Sequence, residues 1–275
     1  MLEQAVLPEL TDLPRKKRNK RWLDLGLPVL SLVCFVSLWE LSVRLKLFAL
    51  PTPEETMKTF LRLLVYGDPL YAKNLLQLTG ASLWIVAKGC GAAFGLAIPL
   101  GVLVGANPYL EKLTHPILEI FRPVPPLAWI PLAYLMFSSL PGPTRYVQAF
   151  VVFVGAFFPA VVNTLHGIKV IDPTYIQAAK SCGASSCQVL RRVLLPGSLP
   201  SILTGIRIGI GIGWMCCVAA EFVGGRMGIG FYIWDSYSTG GRAPEIISGI
   251  IAIGIVGYLL NAGIIWLERR LLPWR

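Results

Sequence analysis

Apolar positions in this chain come in long, nearly unbroken runs, unlike the amphipathic stripes of a soluble protein. The runs cover roughly 28–47, 79–106, 116–137, 145–167, 199–223 and 244–267. Each can cross a hydrocarbon core of ~30 Å at about 1.5 Å of rise per residue. The pattern predicts an all-α integral membrane protein with about six transmembrane helices. Residues 1–27 form a polar tail that carries Arg15, Lys16, Lys17, Arg18, Lys20 and Arg21, and residues 28–275 form the membrane domain. The first apolar run lacks a small-residue cleavage site, so it is expected to stay in place as a span and not to be removed as a signal peptide.

Local signals refine the picture. Thr52-Pro53-Glu54-Glu55 reads as a helix start, with Thr52 as cap, Pro53 at the first helical position and Glu55 closing a capping box. It predicts an amphipathic helix of about three turns on the outer surface. Glu40 and Arg44 lie four apart and share a helix face. Pro123, Pro125, Pro126 and Pro131 must interrupt the third run, because each removes a helical donor. Broken backbone at membrane depth survives only inside protein or beside a watery cavity, so this segment is a candidate lining of an aqueous route. Gly205, Gly209 and Gly213 recur every fourth residue and allow close helix approach, within one subunit or between two.

Composition agrees. Of 275 residues, 55% are hydrophobic and 15% charged, against roughly 25% charged in a soluble domain. A net charge of +10 is compatible with nucleic-acid binding, but the cations cluster at the termini and between apolar runs, with no basic stripe. That distribution sets membrane orientation. The tail, a short loop with Lys112, the loop with Lys169, Lys180, Arg191 and Arg192, and the end with Arg269, Arg270 and Arg275 fall on one side. Lys58, Arg62, Lys73, Arg145, Arg226 and Arg242 fall on the other. Both termini are therefore expected in the cytoplasm. The six cysteines form no disulfide framework, and Cys182 and Cys187 lack the nearby His or Asp to complete a metal tetrahedron. His115 and His166 have no clustered carboxylates, which argues against a membrane enzyme.

The most informative segment is the loop 168–198, placed on the cytoplasmic side. Asp172 caps a helix and Pro173 opens it. Gly183 is positioned to end that helix in a left-handed conformation. Ser185 caps a second helix, Gln188 closes its capping box, and Pro196 is expected to end it. The result is a rigid two-helix elbow. Its shape suits transmission of force from a soluble partner, and equally suits packing against its own bundle.

This loop resembles the motif shared by membrane subunits of binding-protein-dependent ABC importers: Glu-Ala-Ala, three residues, Gly, nine residues, an aliphatic residue, one residue, then Leu-Pro. The chain supplies Gln177-Ala178-Ala179, Gly183, Val193 and Leu195-Pro196 at that spacing. It departs only in Gln177, which removes the charge of the family's Glu. Further stretches resemble the nitrate, sulfonate, taurine and bicarbonate branch: Arg122-Pro123-Val124-Pro125-Pro126-Leu127-Ala128-Trp129-Ile130-Pro131, Leu203-Thr204-Gly205-Ile206-Arg207, Ala219-Ala220-Glu221, and Gly228 to Asp235. The resemblance implies the MetI-like, type I importer permease fold.

It also implies the partners: ATPase subunits that carry ATP and Mg, an extracytoplasmic substrate-binding protein, and a second copy of the permease, a homodimer being the simpler assembly. The chain itself would bind no cofactor and hydrolyse nothing, and it has no Gly-x-x-x-x-Gly-Lys-Ser/Thr phosphate loop. Tyr175, Gln177, Ala178, Ala179, Gly183, Ala184, Leu195 and Pro196 would couple to the ATPase. Intramembrane charges mark candidate pathway residues. Lys88, Arg122, Pro123, Pro126, Trp129, Arg207 and Glu221 are the candidates, with Arg122 and Arg207 close enough to the cytoplasmic ends to snorkel. Glu221 is expected to pair with a cation or to hydrogen-bond near the outer gate. The expected cargo is a small anion: nitrate, bicarbonate, or a sulfonate such as taurine. The alternatives are import of a neutral vitamin precursor by the same kind of permease, and an ion-coupled carrier acting alone.

Overall fold

A computed structural model describes residues 21–272 of the chain. Most of the basic tail and Arg275 lie outside the described residues. The described residues divide into two units, one running to Glu54 and the other starting at Glu55. In the first unit, helix α1 (Arg21–Arg44) carries the first apolar run. Glu40 accepts a hydrogen bond from the Arg44 Nε at 2.8 Å, as their spacing predicts. Its apolar side chains are exposed, as in a helix solvated by lipid: Leu32, Phe35 and Leu38 are each 66% exposed.

The second unit is built on three long helices: α3 (Leu75–Ala106), α6 (Pro143–Lys169) and α9 (Leu195–Gly224). α6 packs along both α3 and α9. The start of α3 is fixed by a capping box in which Asn74 and Gln77 exchange side-chain and backbone hydrogen bonds. Asn107 then ends α3 and caps α4 (Pro108–Phe121). The short helix α2 (Pro53–Val65) begins where the Thr52-Pro53 signal places it. α10 (Ile229–Ser238) and α11 (Ala243–Leu271) complete the bundle. The main core joins Ile85, Val86, Cys90, Val152, Trp214, Cys217 and Tyr232. Gly205, Gly209 and Gly213 all face neighbours in the same chain. A Cβ on Gly205 would lie 2.9 Å from Asn163, one on Gly209 2.9 Å from Phe94, and one on Gly213 3.0 Å from Cys90. The stripe therefore serves packing within the subunit.

Two expected boundaries need correction. The third run is interrupted, as its prolines predict, but its bounds are not 116–137. The helix there, α4, starts at Pro108, ends at Phe121, and meets the following segment Pro126–Phe137 at 90°. That segment opens with a 3₁₀ turn (Pro126–Trp129) and continues as α5 (Ile130–Phe137). The prolines cause the break by removing donors on both sides of it. Lys112, read as a loop residue, therefore lies within α4. Among the described residues, five helices are long and apolar enough to cross a membrane, or six if the bent pair counts as one span.

The second correction concerns Pro196, which does not terminate a helix. α7 (Pro173–Ser181) is followed by α8 (Ser186–Val189), a π turn over Leu190–Leu194, and then α9 without interruption. In the π turn the Leu195 N–H reaches back to the Leu190 carbonyl. Pro196 sits in the first turn of α9, directly after the π turn that shifts the hydrogen-bond register.

Candidate functional site

The elbow joins the C-terminal end of α6 to the N-terminal end of α9 and is built from local signals. Asp172 Oδ1 accepts from the Thr174 N–H at 2.8 Å, which caps α7. That hydrogen bond holds the exposed Asp172 carboxyl below its ordinary pKa. At the other end of α7, Gly183 has φ +81°. Its N–H donates to the Lys180 carbonyl at 2.9 Å, and the Ala184 N–H donates to the Ala179 carbonyl at 3.0 Å. This pair is a complete Schellman motif, and only a left-handed residue after the cap permits it. Ser185 then caps α8: its N–H donates to Gln188 Oε1 at 2.8 Å and its Oγ accepts from the Gln188 N–H.

A small core beneath the elbow explains its rigidity. Ile176, Ala179, Ala184, Val189, Val193 and Leu195 pack with Val102 at the end of α3 and with Ile168 on α6. The motif residues accordingly divide by role. Ala179, Ala184 and Leu195 face this core. Tyr175, Gln177, Ala178 and Pro196 are exposed, Tyr175 at 66%. A cleft of about 760 Å³ between the elbow and α9 is lined by Asp172, Tyr175, Arg192, Pro196 and Ser201, among others. The face available to a partner is thus the outer side of α7 and the cleft beside it.

The pathway candidates are not brought together. Lys88 is exposed on α3, with its ammonium 4.9 Å from the centre of the Trp84 ring. Arg122 ends α4 and lies 3.8 Å from Glu119. Pro123 lies in the break, and Pro126 opens the 3₁₀ turn. Trp129 packs against Phe121 and Phe150, and its buried indole N–H has no partner. Arg207 forms an ion pair with Glu268 of α11. Glu221 is fully buried and pairs with no cation among the described residues. It accepts the Gly230 N–H at 2.8 Å, at the start of α10. A carboxyl oxygen that takes an otherwise free N–H in the first turn of α10 ties α9 to α10.

The end of the bundle opposite the elbow holds a cavity of about 710 Å³ lined by Trp84, Lys88, Thr144, Arg145, Gln148 and Arg226, among others. Of these, only Lys88 was marked by the sequence. Arg145 and Arg226 read as loop cations there, and nothing local announces that they converge. The bundle also holds a buried polar cluster that the sequence did not flag. Asp68 accepts from the Leu70 N–H at 2.9 Å, Tyr232 Oη at 2.9 Å and Arg242 Nη2 at 2.6 Å. Burial opposes its ionisation, but these donors together keep its carboxyl below the ordinary value. Glu245 accepts from Arg62 at 3.0 Å and from Arg242 at 3.1 Å. Tyr71 donates to Asp235, and burial together with that carboxylate pushes its hydroxyl up to about 12. Among the described residues no cluster of His, Cys, Asp or Glu could hold a metal.

Residues 97–275 match the family described as binding-protein-dependent transport system inner membrane component. The bicarbonate transport system permease protein CmpB of Synechocystis is 36% identical over 261 residues, 93% of this chain and 91% of that protein. The taurine transport system permease protein TauC of Escherichia coli is 36% identical over 249 residues, 89% and 88% of the two chains. The nitrate import permease protein NrtB of Leptolyngbya laminosa is 37% identical over 211 residues, 75% and 74%. Among solved structures, a chain of the MetNI methionine ABC transporter in inward-facing conformations superposes with a TM-score of 0.62. It covers 72% of this chain and 95% of its own at 21% identity, which establishes the shared fold. With its all-helical membrane architecture, its elbow and these relatives, the chain belongs to the binding-protein-dependent ABC importer permeases, in the branch that includes bicarbonate, nitrate and taurine permeases.

Proposed function

We propose that this chain is the membrane half of an ATP-driven importer of a small anion, and that it is driven through the elbow by a separate ATPase. The observation that carries the reading is the elbow itself. Two capped helices are locked by a Schellman motif over their own small core, with Tyr175, Gln177 and Ala178 turned outward. A pair so braced can be pushed without bending, and the π turn continues its second helix, α8, directly into α9. Displacement of α7 would therefore reach the long helix that packs against α6. In this reading the elbow end and both termini face the cytoplasm. ATP and Mg bind the ATPase, a binding protein delivers cargo at the opposite end, and two copies of the chain form the route.

Anionic cargo is supported by the relatives, which are bicarbonate, taurine and nitrate permeases, and by cations at the far end that have no ion-pair partner among the described residues. Coupling is tested by co-expressing the tagged chain with its cognate ATPase. Ala178→Trp adds bulk to an exposed position without touching the elbow core, and it is expected to lower ATPase recovery at least tenfold. Recovery equal to wild type would refute docking at α7. Cargo is tested in proteoliposomes with the binding protein and nitrate, bicarbonate or taurine. At least one should stimulate ATP hydrolysis several-fold, and stimulation by none of them would refute the anion reading.

A further inference from the structure

We infer that the cavity opposite the elbow is a binding site for a small oxyanion, formed by Lys88, Arg145, Arg226 and Gln148 of this chain. The inference rests on the anion-import reading and assigns the permease a cargo site of its own. Three separate parts of the chain supply the cations: Lys88 from the middle of α3, Arg145 from the first turn of α6, and Arg226 from the turn after α9. None of the three has an ion-pair partner among the described residues, whereas Arg62 and Arg242 are both held by carboxylates. Like charges gathered without a counterion repel one another, and an anion between them relieves that repulsion.

The fourth residue points to the ligand independently of charge. Gln148 is only 3% exposed, lines the same cavity, and has no hydrogen-bond partner among the described residues. Its amide opens to the cavity without a protein partner among the described residues, and its N–H groups suit an oxyanion. Trp84 forms part of the wall and fixes the Lys88 ammonium over its ring. The cations remain partly in water, so the hold is weak, on the order of millimolar in dissociation constant. A weak hold suits a transfer site, which must release what it binds.

The phosphodiester of an anionic lipid offers the same chemistry, and the experiment separates the two sources. The purified full-length chain in neutral detergent is titrated with nitrate, bicarbonate and taurine at constant ionic strength, with thermal unfolding as the readout. At least one of them should raise the midpoint of the wild type along a saturating curve. Lys88→Gln with Arg226→Gln should move half-saturation at least tenfold higher, Gln148→Leu severalfold, and Lys88→Arg less than twofold. The exposed cations are not part of the core, so the folded state of each variant is verified by size-exclusion profile before titration. A non-saturating rise, equal curves in all variants, or a saturating response to phosphatidylglycerol alone would overturn the inference. No ATPase is present in this titration, so its failure is distinct from failure of elbow docking.

Discussion

Gly183 and Gly228 both hold positive φ, at +81° and +127°, yet they will not respond alike to substitution. A Cβ on Gly183 would meet nothing within 4 Å, so Gly183→Ala carries only backbone strain. That strain costs about 1 kcal/mol, and the chain should still fold. A Cβ on Gly228 would run into the Glu221 carboxylate. Gly228→Ala is therefore expected to destabilise by on the order of 3 kcal/mol or more. Thermal unfolding in detergent should rank the two clearly, and equal midpoints would show that the Glu221 contact with α10 is not rigid. Asp68 gives a pH prediction. Its folded-state pKa lies below the ordinary value of 3.8, so its contribution is complete above that value. It is lost as pH falls further, through the folded-state pKa. Asp68→Asn leaves the Arg242 guanidinium short of a charged partner and should cost roughly 3 kcal/mol at neutral pH. The deficit should shrink on acidification below about pH 4, and a deficit independent of pH would contradict the assignment.

Helices α9 and α11 are tied by Arg207 and Glu268, both largely withdrawn from water. Removing one partner strands the other, so Arg207→Leu is expected to cost roughly 3 kcal/mol. Replacing both with leucine should recover most of the loss, because the buried pair itself contributes little net stability. A double-mutant cycle by thermal unfolding would read this coupling, and additive losses would contradict it. The elements also show what a one-dimensional reading can reach. The limits of α2 and α7 were legible because Pro53, Asp172, Pro173 and Gly183 act within a few residues of themselves. The interruption of the third run was legible for the same reason, but its 90° bend was not, because the angle is set by packing of α5 on α6. Pro196 misled the reading. A proline normally stops the helix before it, but a π turn immediately upstream re-registers the backbone and lets the helix continue.

At the level of the whole molecule, the elbow end was readable from sequence and the opposite end was not. The elbow is contiguous over some twenty residues, so spacing alone exposes it. The cationic cavity draws on α3, α6 and the turn after α9, and only the packed bundle brings these together. Glu221 illustrates the same limit: its partner is a backbone N–H of α10, delivered by a turn whose geometry no side-chain pattern announces. In the proposed mechanism, force enters at α7 and cargo at the far cavity. The elbow's exposed native thiols, Cys182 and Cys187, permit the most direct test of where force enters. In a Cys34→Ser background, a membrane-impermeant maleimide is applied to right-side-out and to inside-out vesicles, with and without the cognate ATPase. Cys182 and Cys187 are expected to label only in inside-out vesicles and to be protected when the ATPase is bound. Labelling from the outer face, or no protection by the ATPase, would contradict the proposed mechanism.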